Sequence, residues 1–323
     1  MKLSRRRFLH LAACIATLPP ASRIARAQAY PSRPVHLIVG LPPGNAPDIV
    51  ARLVGQWLSE RLGQSFVIDN RPGASTNIAT EDVVRAPPDG YTLLLITAGN
   101  AINASLYQNL NFNFIQDIAP VASIGRTPFV MVVNPSFPAK TVPEFIAYAK
   151  ANPGKINMAS TGIGGANHVF GELLKMMSGV DLVHVPYRGS LMPDLLAGQV
   201  QVFFGAIPGV LAGIRTGKLR ALAVTTATPV AALPDIPAMG EFVPGYEASG
   251  WLGIGAPKSL SAEVIAKLNK EINAFGADPN IKARLVALGV EPDVDQPDEF
   301  RKFIADETEK WAKVVKFAGI KVD

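Results

Sequence analysis

Short segments rich in glycine and small polar residues are the parts of this sequence best suited to chemistry. One follows the apolar run Phe66–Ile68 and ends in three polar residues, Ser75, Thr76 and Asn77. Its composition disfavours a helix until about Ile78, and either hydroxyl of Ser75 or Thr76 is placed to cap that helix. The first turn of a helix presents backbone N–H groups that have no intrahelical partner. The segment is therefore predicted to bind a carboxylate or a phosphate.

Two further segments of this kind follow predicted strands. Leu41–Asp48 joins the first strand to an amphipathic helix and, by its composition alone, is an ordinary βα turn. Its residues Pro43, Gly44 and Asn45 are candidate ligand-binding residues through the family resemblance described below. Ser160–His168 also precedes a helix, and its candidates are Ser160, Thr161, Gly164, Gly165, Ala166 and Asn167. Thr97 and Asn100, at the end of another strand, add a hydroxyl and an amide. Because all these donors are neutral, we expect them to hold an anion without covalent chemistry.

Other chemistries leave weaker signals. The glycine spacing of Ser160–His168 resembles a nucleotide-binding fingerprint, but the acid expected about twenty residues later on a second strand is not there. Ser160 and His168 are a candidate hydrolase pair, although no G-x-S-x-G elbow accompanies them. His36 and His184 lack the spacing of metal ligands, so no metal and no cofactor are expected.

The basic net charge of +5 comes from the first residues. Residues 1–29 contain six basic side chains and no acid, and their removal leaves 25 basic against 26 acidic residues. A charge near neutral gives no argument for nucleic acid or an anionic membrane as partner. The single cysteine, Cys14, lies in the same segment, so the remaining chain has no disulfide and no thiol nucleophile.

Residues 1–29 have the layout of an export signal. Ser4–His10 is similar to a twin-arginine motif, an apolar segment Phe8–Leu18 follows, and small-residue cleavage sites end at Ala27 and Ala29. Cleavage near one of these positions predicts a periplasmic protein. The alternative is a lipobox, Leu11–Cys14, which would make Cys14 a lipid-bearing N-terminus.

The elements that must position these segments alternate between strand and helix. Apolar, β-branched runs predict strands at Val35–Val39, Phe66–Ile68, Thr92–Ile96, Val130–Val133, Ile156–Ala159, Leu182–Val185, Val200–Phe204 and Leu219–Val224. Helical periodicity lies between most of them, at Ile49–Leu62, Ile78–Arg85, Val142–Ala151, Val169–Met177 and Leu191–Leu196. After Trp251–Ala256 the pattern is helical only, with a last helix at Phe300–Ala318. This order predicts an α/β architecture with mainly parallel sheets.

Several motifs together resemble one family. Asn70–Ala74 reads N-R-P-G-A, Asn77 stands four residues after Gly73, and Pro88–Leu93 reads P-D-G-Y-T-L. Ser160–His168 is similar to S-x-G-x-G-[ST]-x-x-H, with Gly165 in place of the hydroxyl residue, and His184–Gly189 is similar to H-V-P-Y-[KR]-G. These motifs resemble the Bug/TctC solute receptors, the extracytoplasmic binding proteins of tripartite tricarboxylate transporters. The resemblance covers nearly the whole chain after residue 29.

The resemblance implies a type II periplasmic binding protein, in which two α/β lobes are joined by two crossovers around a ligand cleft. It places residues 30–125 and 250–323 in one lobe and residues 126–249 in the other. It also implies that the His184–Gly189 segment positions the loop of the second lobe. Gly205, also a candidate ligand-binding position, stands where relatives often carry Asp, which favours a ligand without an ammonium group.

The function implied is a monomeric receptor, not an enzyme, that captures a di-, tri- or aromatic carboxylate and delivers it to membrane permease subunits. Asp48 is expected to cap or orient its helix, because a carboxylate facing the ligand would repel it. Two alternatives stay open at this point: a periplasmic hydrolase that uses Ser160 and His168, and a ligand sensor that docks on a signalling receptor.

Overall fold

The structure, a computed structural model, describes residues 30–322. The predicted signal peptide therefore lies outside the described residues, together with its twin-arginine motif, Cys14 and the cleavage positions at Ala27 and Ala29. Within residues 30–322, no helix is both long and apolar enough to cross a membrane.

Six strands form the first sheet. They are β1 Val35–Val39, β2 Phe66–Asn70, β3 Thr92–Thr97, β4 Ile118–Thr127, β10 Gly250–Pro257 and β11 Glu291–Pro292, in the spatial order β11-β4-β10-β3-β1-β2. β1 is parallel to β2 and β3, whereas β10 runs antiparallel to β3 and β4. The carboxyl ends of β1, β2 and β3 consequently lie at one edge of the sheet.

Five strands form the second sheet. They are β5 Phe129–Val133, β6 Asn157–Ser160, β7 Val183–Pro186, β8 Val202–Ala206 and β9 Arg220–Val224, in the order β7-β6-β8-β5-β9. β6 is parallel to β7 and β8, and β5 is antiparallel to β8 and β9. The chain passes from the first sheet to the second at Pro128, between β4 and β5, and returns before Gly250. The residue ranges of the two lobes stay a prediction.

Eleven helices among the described residues cover and connect the sheets. They are α1 Ala46–Leu62, α2 Asn77–Val84, α3 Ala98–Leu106, α4 Phe114–Asp117, α5 Val142–Ala151, α6 Ala166–Ser178, α7 Met192–Ala197, α8 Ile207–Arg215, α9 Ala262–Ala277, α10 Pro279–Ala287 and α11 Pro297–Ala318. The α/β fold class predicted from the alternation of strands and helices is confirmed. The prediction of mainly parallel sheets is wrong, because four of the described strand pairings are parallel and five, those made by β5, β10 and β11, are antiparallel. Strands β4 and β11 and helices α3, α4 and α8 have no counterpart among the predicted elements. The prediction that only helices follow Trp251–Ala256 is therefore wrong at β11, a two-residue strand that pairs with β4.

One buried apolar cluster connects the two sheets. It includes Ile96 of β3, Met131 of β5, and Phe300 and Trp311 of α11. Trp311 stacks on Phe170 of α6, with ring centroids 5.2 Å apart. Helix α11 therefore packs against elements of both sheets, although the predicted division assigns its residues to one lobe only.

Candidate functional site

Three of the candidate segments begin at the same edge of the first sheet. The parallel register of β1 with β2 and β3 sets the ends of these strands, Val39, Asn70 and Thr97, side by side. In open α/β sheets, ligands bind beyond the carboxyl ends of the strands. We refer to the segments after β1 and β2 as the 41–48 loop and the 70–77 loop.

The 41–48 loop is held by its own side chains. Asn45 is the N-cap of α1 and accepts a hydrogen bond from Asp48 N at 2.9 Å. Asp48 is buried, and it accepts bonds from Gly44 N at 2.8 Å, Arg52 Nε at 3.0 Å and Asn70 Nδ2 at 2.9 Å. Burial raises the pKa of Asp48, but these hydrogen bonds outweigh it and hold the pKa below its ordinary value. Asp48 is thus an ionised structural group that orients the start of the helix, and Pro43 and Gly44 stay exposed above it.

The backbone of the 70–77 loop is left-handed over three consecutive residues that are not glycine. Their φ angles are 43° at Ala74, 52° at Ser75 and 81° at Thr76. Each such residue costs on the order of 1–3 kcal/mol and persists only where its surroundings impose it. Thr76 occupies the N-cap position of α2, but neither it nor Ser75 makes a side-chain capping bond in the described chain. The predicted hydroxyl cap is therefore wrong, because the loop reaches the helix in this left-handed conformation.

Helix α3 imposes that conformation. Asn103 donates through Nδ2 to Ser75 O and, at 3.2 Å, to Asn77 Oδ1. Asn100 donates to the hydroxyls of Thr76 at 3.2 Å and Thr80 at 2.9 Å. Asn103 was not among the predicted candidates, because the sequence pattern did not predict α3. Had that helix been recognised, the spacing of the two asparagines would have placed them on one face.

Asn77 has an unused donor. Its side chain is 7% exposed, its Oδ1 accepts from Asn103, and its Nδ2 is buried without a hydrogen-bond partner among the described residues. Buried polar groups without a partner are rare in native proteins and point to an additional ligand or water. Among the candidate residues of the first sheet, Asn77 is therefore the side chain best prepared to donate.

Thr97 and Asn100 are hydrogen-bonded to each other rather than free to bind a ligand. Asn100 Oδ1 accepts from Thr97 N at 2.8 Å and lies 3.2 Å from Thr97 Oγ1, and Thr97 Oγ1 accepts from Gly99 N at 3.2 Å. These bonds cap α3. The pair thus supports the helix that holds the 70–77 loop.

The segment after β6, which we name the 160–168 loop, is also internally bonded. Asn167 Oδ1 lies 3.2 Å from both Thr161 N and Thr161 Oγ1, and Ser160 Oγ accepts from Gly162 N at 3.2 Å. Gly164 N donates to Nδ1 of His168 at 3.0 Å. Gly165 is the N-cap of α6 and, having no side chain, leaves the first amides of that helix without a side-chain cap. Ala166 opens the helix.

Two histidines lie behind this loop. The rings of His168 and His184 stack with centroids 3.5 Å apart and planes 8° apart. Ser160 Oγ lies 2.6 Å from His184 Nε2. Burial, and then the neighbouring His168, lower the pKa of His184 to about 4, so its ring is neutral at neutral pH. The Ser160–His168 pair proposed for a hydrolase is not formed, because His168 directs Nδ1 at Gly164 and Ser160 contacts His184.

Helix α3 brings the loops of the two sheets together. Asn103 holds the 70–77 loop, and one turn further along Leu106 lies against Gly164, where an added Cβ would come within 2.3 Å of Leu106 Cδ2. Gly40, which precedes the 41–48 loop, packs closely on Thr76: a Cβ added at Gly40 would lie 2.7 Å from Thr76 Cβ. Candidate segments from both sheets therefore surround one helix face.

Gly205 lies near the carboxyl end of β8, which is the parallel neighbour of β6, so the register of the two strands sets it beside the start of the 160–168 loop. It is buried and paired with Val130 of β5. A Cβ at Gly205 would meet Val210 at 2.7 Å and Phe203 at 2.8 Å. A side chain at this position would therefore point among apolar neighbours.

Known proteins resemble this chain over nearly its whole length. Residues 50–320 match the family model of the tripartite tricarboxylate transporter family receptor, TctC. Protein BugT of Bordetella pertussis is 36% identical over 313 residues, which cover 95% of this chain and 96% of BugT.

Two solved structures share the fold. An R. palustris protein with adipate has a TM-score of 0.77 and 36% identity and covers 90% of this chain and 99% of its own. The periplasmic binding protein BugD has a TM-score of 0.73 and 35% identity over 90% of this chain and 99% of BugD. The type II binding-protein fold and the family predicted from the motifs are thereby confirmed. This chain belongs to the TctC family of tripartite tricarboxylate transporter receptors.

Proposed function

We propose that this receptor works outside the cytoplasm, as the pattern of residues 1–29 predicts, and binds a small carboxylate between two lobes. One lobe would comprise residues 30–125 and 250–323, and the other residues 126–249. The observation that carries the proposal is that the 70–77 and 160–168 loops both contact α3, where Asn77 Nδ2 has no hydrogen-bond partner among the described residues. The related R. palustris structure contains adipate, a dicarboxylate, which agrees with a site of this kind.

Neutral donors are sufficient for such a ligand. The amides at the starts of α2 and α6 carry no side-chain caps in the described chain, and each helix start has a partial positive charge. Asn77 Nδ2 and the exposed Thr161 side chain add donors from the two sides. The proposed site therefore combines Ser75, Thr76 and Asn77, the exposed Pro43 and Gly44 and the half-buried Asn45 of the 41–48 loop, and residues Ser160–Asn167.

The ligand should lack an ammonium group. Asp48 is the acidic residue of the 41–48 loop and lies in the first turn of α1. Its carboxylate is buried and already hydrogen-bonded to Arg52, Gly44 and Asn70. It is not available to neutralise an ammonium, and burying an unpaired cation is costly. We therefore propose dicarboxylates, tricarboxylates and aromatic acids as the ligand class.

Thermal unfolding and calorimetry of the purified protein against adipate, malate, succinate, citrate and benzoate test this proposal. A ligand at one hundred times its Kd adds about 2.7 kcal/mol of stability and raises Tm measurably. Succinate should bind more tightly than aspartate, its ammonium-bearing counterpart. Tighter binding of aspartate would refute the ligand class, and no response to any carboxylate would refute the proposed function.

The partners proposed are the permease subunits of a tripartite tricarboxylate transporter, to which the monomeric receptor would deliver its ligand. Light scattering after size-exclusion chromatography measures the monomer directly. Loss of carboxylate uptake in a strain that lacks only this receptor tests the transport role, as opposed to a sensory one.

A further inference from the structure

We propose that Asn103 is a positioning residue that sets the polarity of the ligand site: it orients the side chain of Asn77 so that the amide nitrogen, and not the oxygen, is available to a ligand. The effect on ligand preference rests on the proposed function, whereas the orientation of Asn77 does not. Asn103 lies in α3 and is 3% exposed, so it acts on a ligand only through the residues that it contacts.

The orientation of Asn103 is fixed by a backbone group. A half rotation of an asparagine side chain exchanges its donor for its acceptor at little change in shape. Asn103 cannot make this exchange, because its Nδ2 donates to the backbone oxygen of Ser75, which only accepts. The same Nδ2 donates to Asn77 Oδ1 at 3.2 Å. A rotated Asn77 would bring its own Nδ2 against that of Asn103, donor to donor, so Asn77 is fixed with its nitrogen directed elsewhere.

Asn100, one turn earlier in α3, orients a second donor in the same way. The backbone N–H of Thr97 donates to Asn100 Oδ1 at 2.8 Å, which fixes Nδ2 as the atom that faces the 70–77 loop. Nδ2 donates to the hydroxyl oxygens of Thr76 at 3.2 Å and Thr80 at 2.9 Å. Thr80 passes its own proton to Thr76 O at 3.0 Å. The hydroxyl of Thr76 donates to no group within residues 30–322, so its proton is available to a ligand.

The unused groups at this point of the 70–77 loop are therefore both donors. Asn77 is 7% exposed, and its Nδ2 is buried without a partner in the part of the chain that the structure describes. An anion can accept from both residues, whereas an ammonium group would meet no acceptor there. The backbone groups of Ser75 and Thr97, which cannot exchange donor for acceptor, thus determine the preference for an anion through two asparagines.

Nuclear magnetic resonance of the ligand-free protein tests the orientation of Asn77. In the wild type, the Nδ2 protons of Asn103 should show the downfield shift of a hydrogen-bonded amide, and those of Asn77 should not. The reverse pattern would overturn the proposal without any variant. Asn103→Asp has nearly the same shape but presents an acceptor to Asn77, so the amide should rotate and its Nδ2 protons should move downfield. Unmoved Asn77 protons in the folded variant would also overturn the proposal.

Calorimetry with succinate and aspartate tests the consequence for ligand preference. In Asn103→Asp, the rotated Asn77 presents its oxygen to the ligand, so the ratio of the Kd of aspartate to that of succinate should fall about fivefold or more. A loss of structure alone would weaken both acids and leave this ratio unchanged. The same substitution in the Asn77→Ala background adds the charge without an amide to rotate, and there the ratio should fall at least about threefold less.

Asn269→Asp is the matched control. Asn269 is also buried in a helix, α9, and its Nδ2 donates to the backbone oxygens of Val121 and Asp295, each at 3.0 Å. This substitution should lower Tm as Asn103→Asp does, but it should leave the ratio within about twofold of the wild type.

A ratio that falls equally with and without the Asn77 amide would overturn the proposal, because the new carboxylate would then act by its charge alone. If no acid of the panel binds to the wild type, the proposed function fails, while the ligand-free spectra still decide whether Asn103 orients Asn77.

Discussion

The polar side chains where the loops meet fall into two groups: those that hydrogen-bond within the protein and fix the loops, and those that can donate to a ligand. Asn45, Asp48, Asn100, Asn103 and Asn167 bond to neighbouring backbone or side chains and shape the loops. Asn77 is different because its Oδ1 accepts a hydrogen bond, whereas its Nδ2 has no partner within residues 30–322. A donor fixed in place in this way gains a hydrogen bond on ligand binding without losing rotational freedom.

Replacing that donor should weaken binding more than folding. Asn77→Asp keeps the shape and the acceptor but exchanges Nδ2 for a negative oxygen, so a carboxylate loses a donor and meets a like charge. Hydrogen bonds to charged groups contribute about 1.5–3 kcal/mol, which corresponds to a Kd at least about tenfold higher. Calorimetry with the tightest carboxylate of the panel measures it.

Asn280→Asp, at an exposed position at the start of α10, is the matched control and should leave Kd unchanged. An Asn77→Asp protein with wild-type affinity would remove Asn77 from the site.

Helix α3 is the element on which the site depends. Its residues bond to the 70–77 loop at one end and pack on the 160–168 loop at the other. The strained backbone from Ala74 to Thr76 persists because these bonds and the close packing of Gly40 on Thr76 leave it no space to relax. The geometry of the loop is therefore a property of its contacts with β1 and α3.

A side chain at Gly40 should disturb the loop. The Cβ in Gly40→Ala would be 2.7 Å from Thr76 Cβ and 2.9 Å from Thr76 Cα, so the backbone must shift. Overpacking of this kind costs about 1–3 kcal/mol, and we expect the free energy of unfolding to fall by that amount and the Kd for the carboxylate to rise. Urea unfolding and calorimetry measure the two effects.

Gly189→Ala provides the comparison, because a Cβ there would meet no described atom within 4 Å and the φ angle of Gly189 is not left-handed. Unchanged affinity in Gly40→Ala would show that the conformation of Thr76 does not matter for binding.

At the scale of the whole molecule, α11 joins the two sheets through a buried carboxylate. Glu307 is 5% exposed, and its Oε2 accepts from Trp251 Nε1 at 3.1 Å and Trp311 Nε1 at 2.9 Å. Trp251 lies in β10 of the first sheet, whereas Trp311 stacks on Phe170, which follows β6 of the second. Lys310 contacts Glu307 and donates to Glu247 O at 3.2 Å, in the segment that returns to the first sheet.

Removal of this carboxylate should destabilise the whole protein. Glu307→Ala leaves two buried indole N–H groups without their acceptor, at about 1–3 kcal/mol each, so we expect the free energy of unfolding to fall by about 2–5 kcal/mol. Glu309→Ala removes an exposed acid from the same helix, paired only with Lys313, and should cost less than about 1 kcal/mol. Guanidinium unfolding followed by tryptophan fluorescence measures both. Equal effects of the two substitutions would contradict a role for Glu307 in joining the sheets.

The sequence by itself determined most of the strands, most of the helices and the family. Runs such as Val35–Val39 and Val130–Val133 are apolar and β-branched, so their local preference agrees with their burial. Asn45 and Pro47 are local signals of the same kind for the start of α1, although the predicted helix began only at Ile49. The loops at the strand ends were recognisable because their glycines and small polar residues are also local signals.

Only the tertiary structure decided how those loops are held and which donors remain unpaired. Helix α3 contains Gly99, Asn100, Asn103 and Ser105, which have low helix propensity, and it is stabilised by bonds to residues twenty or more positions earlier in the chain. The stacking of His168 on His184 likewise joins α6 to a neighbouring strand, and the contact of Gly164 with Leu106 joins the two sheets. Such contacts arise from the packing of distant segments, and local sequence patterns do not record them.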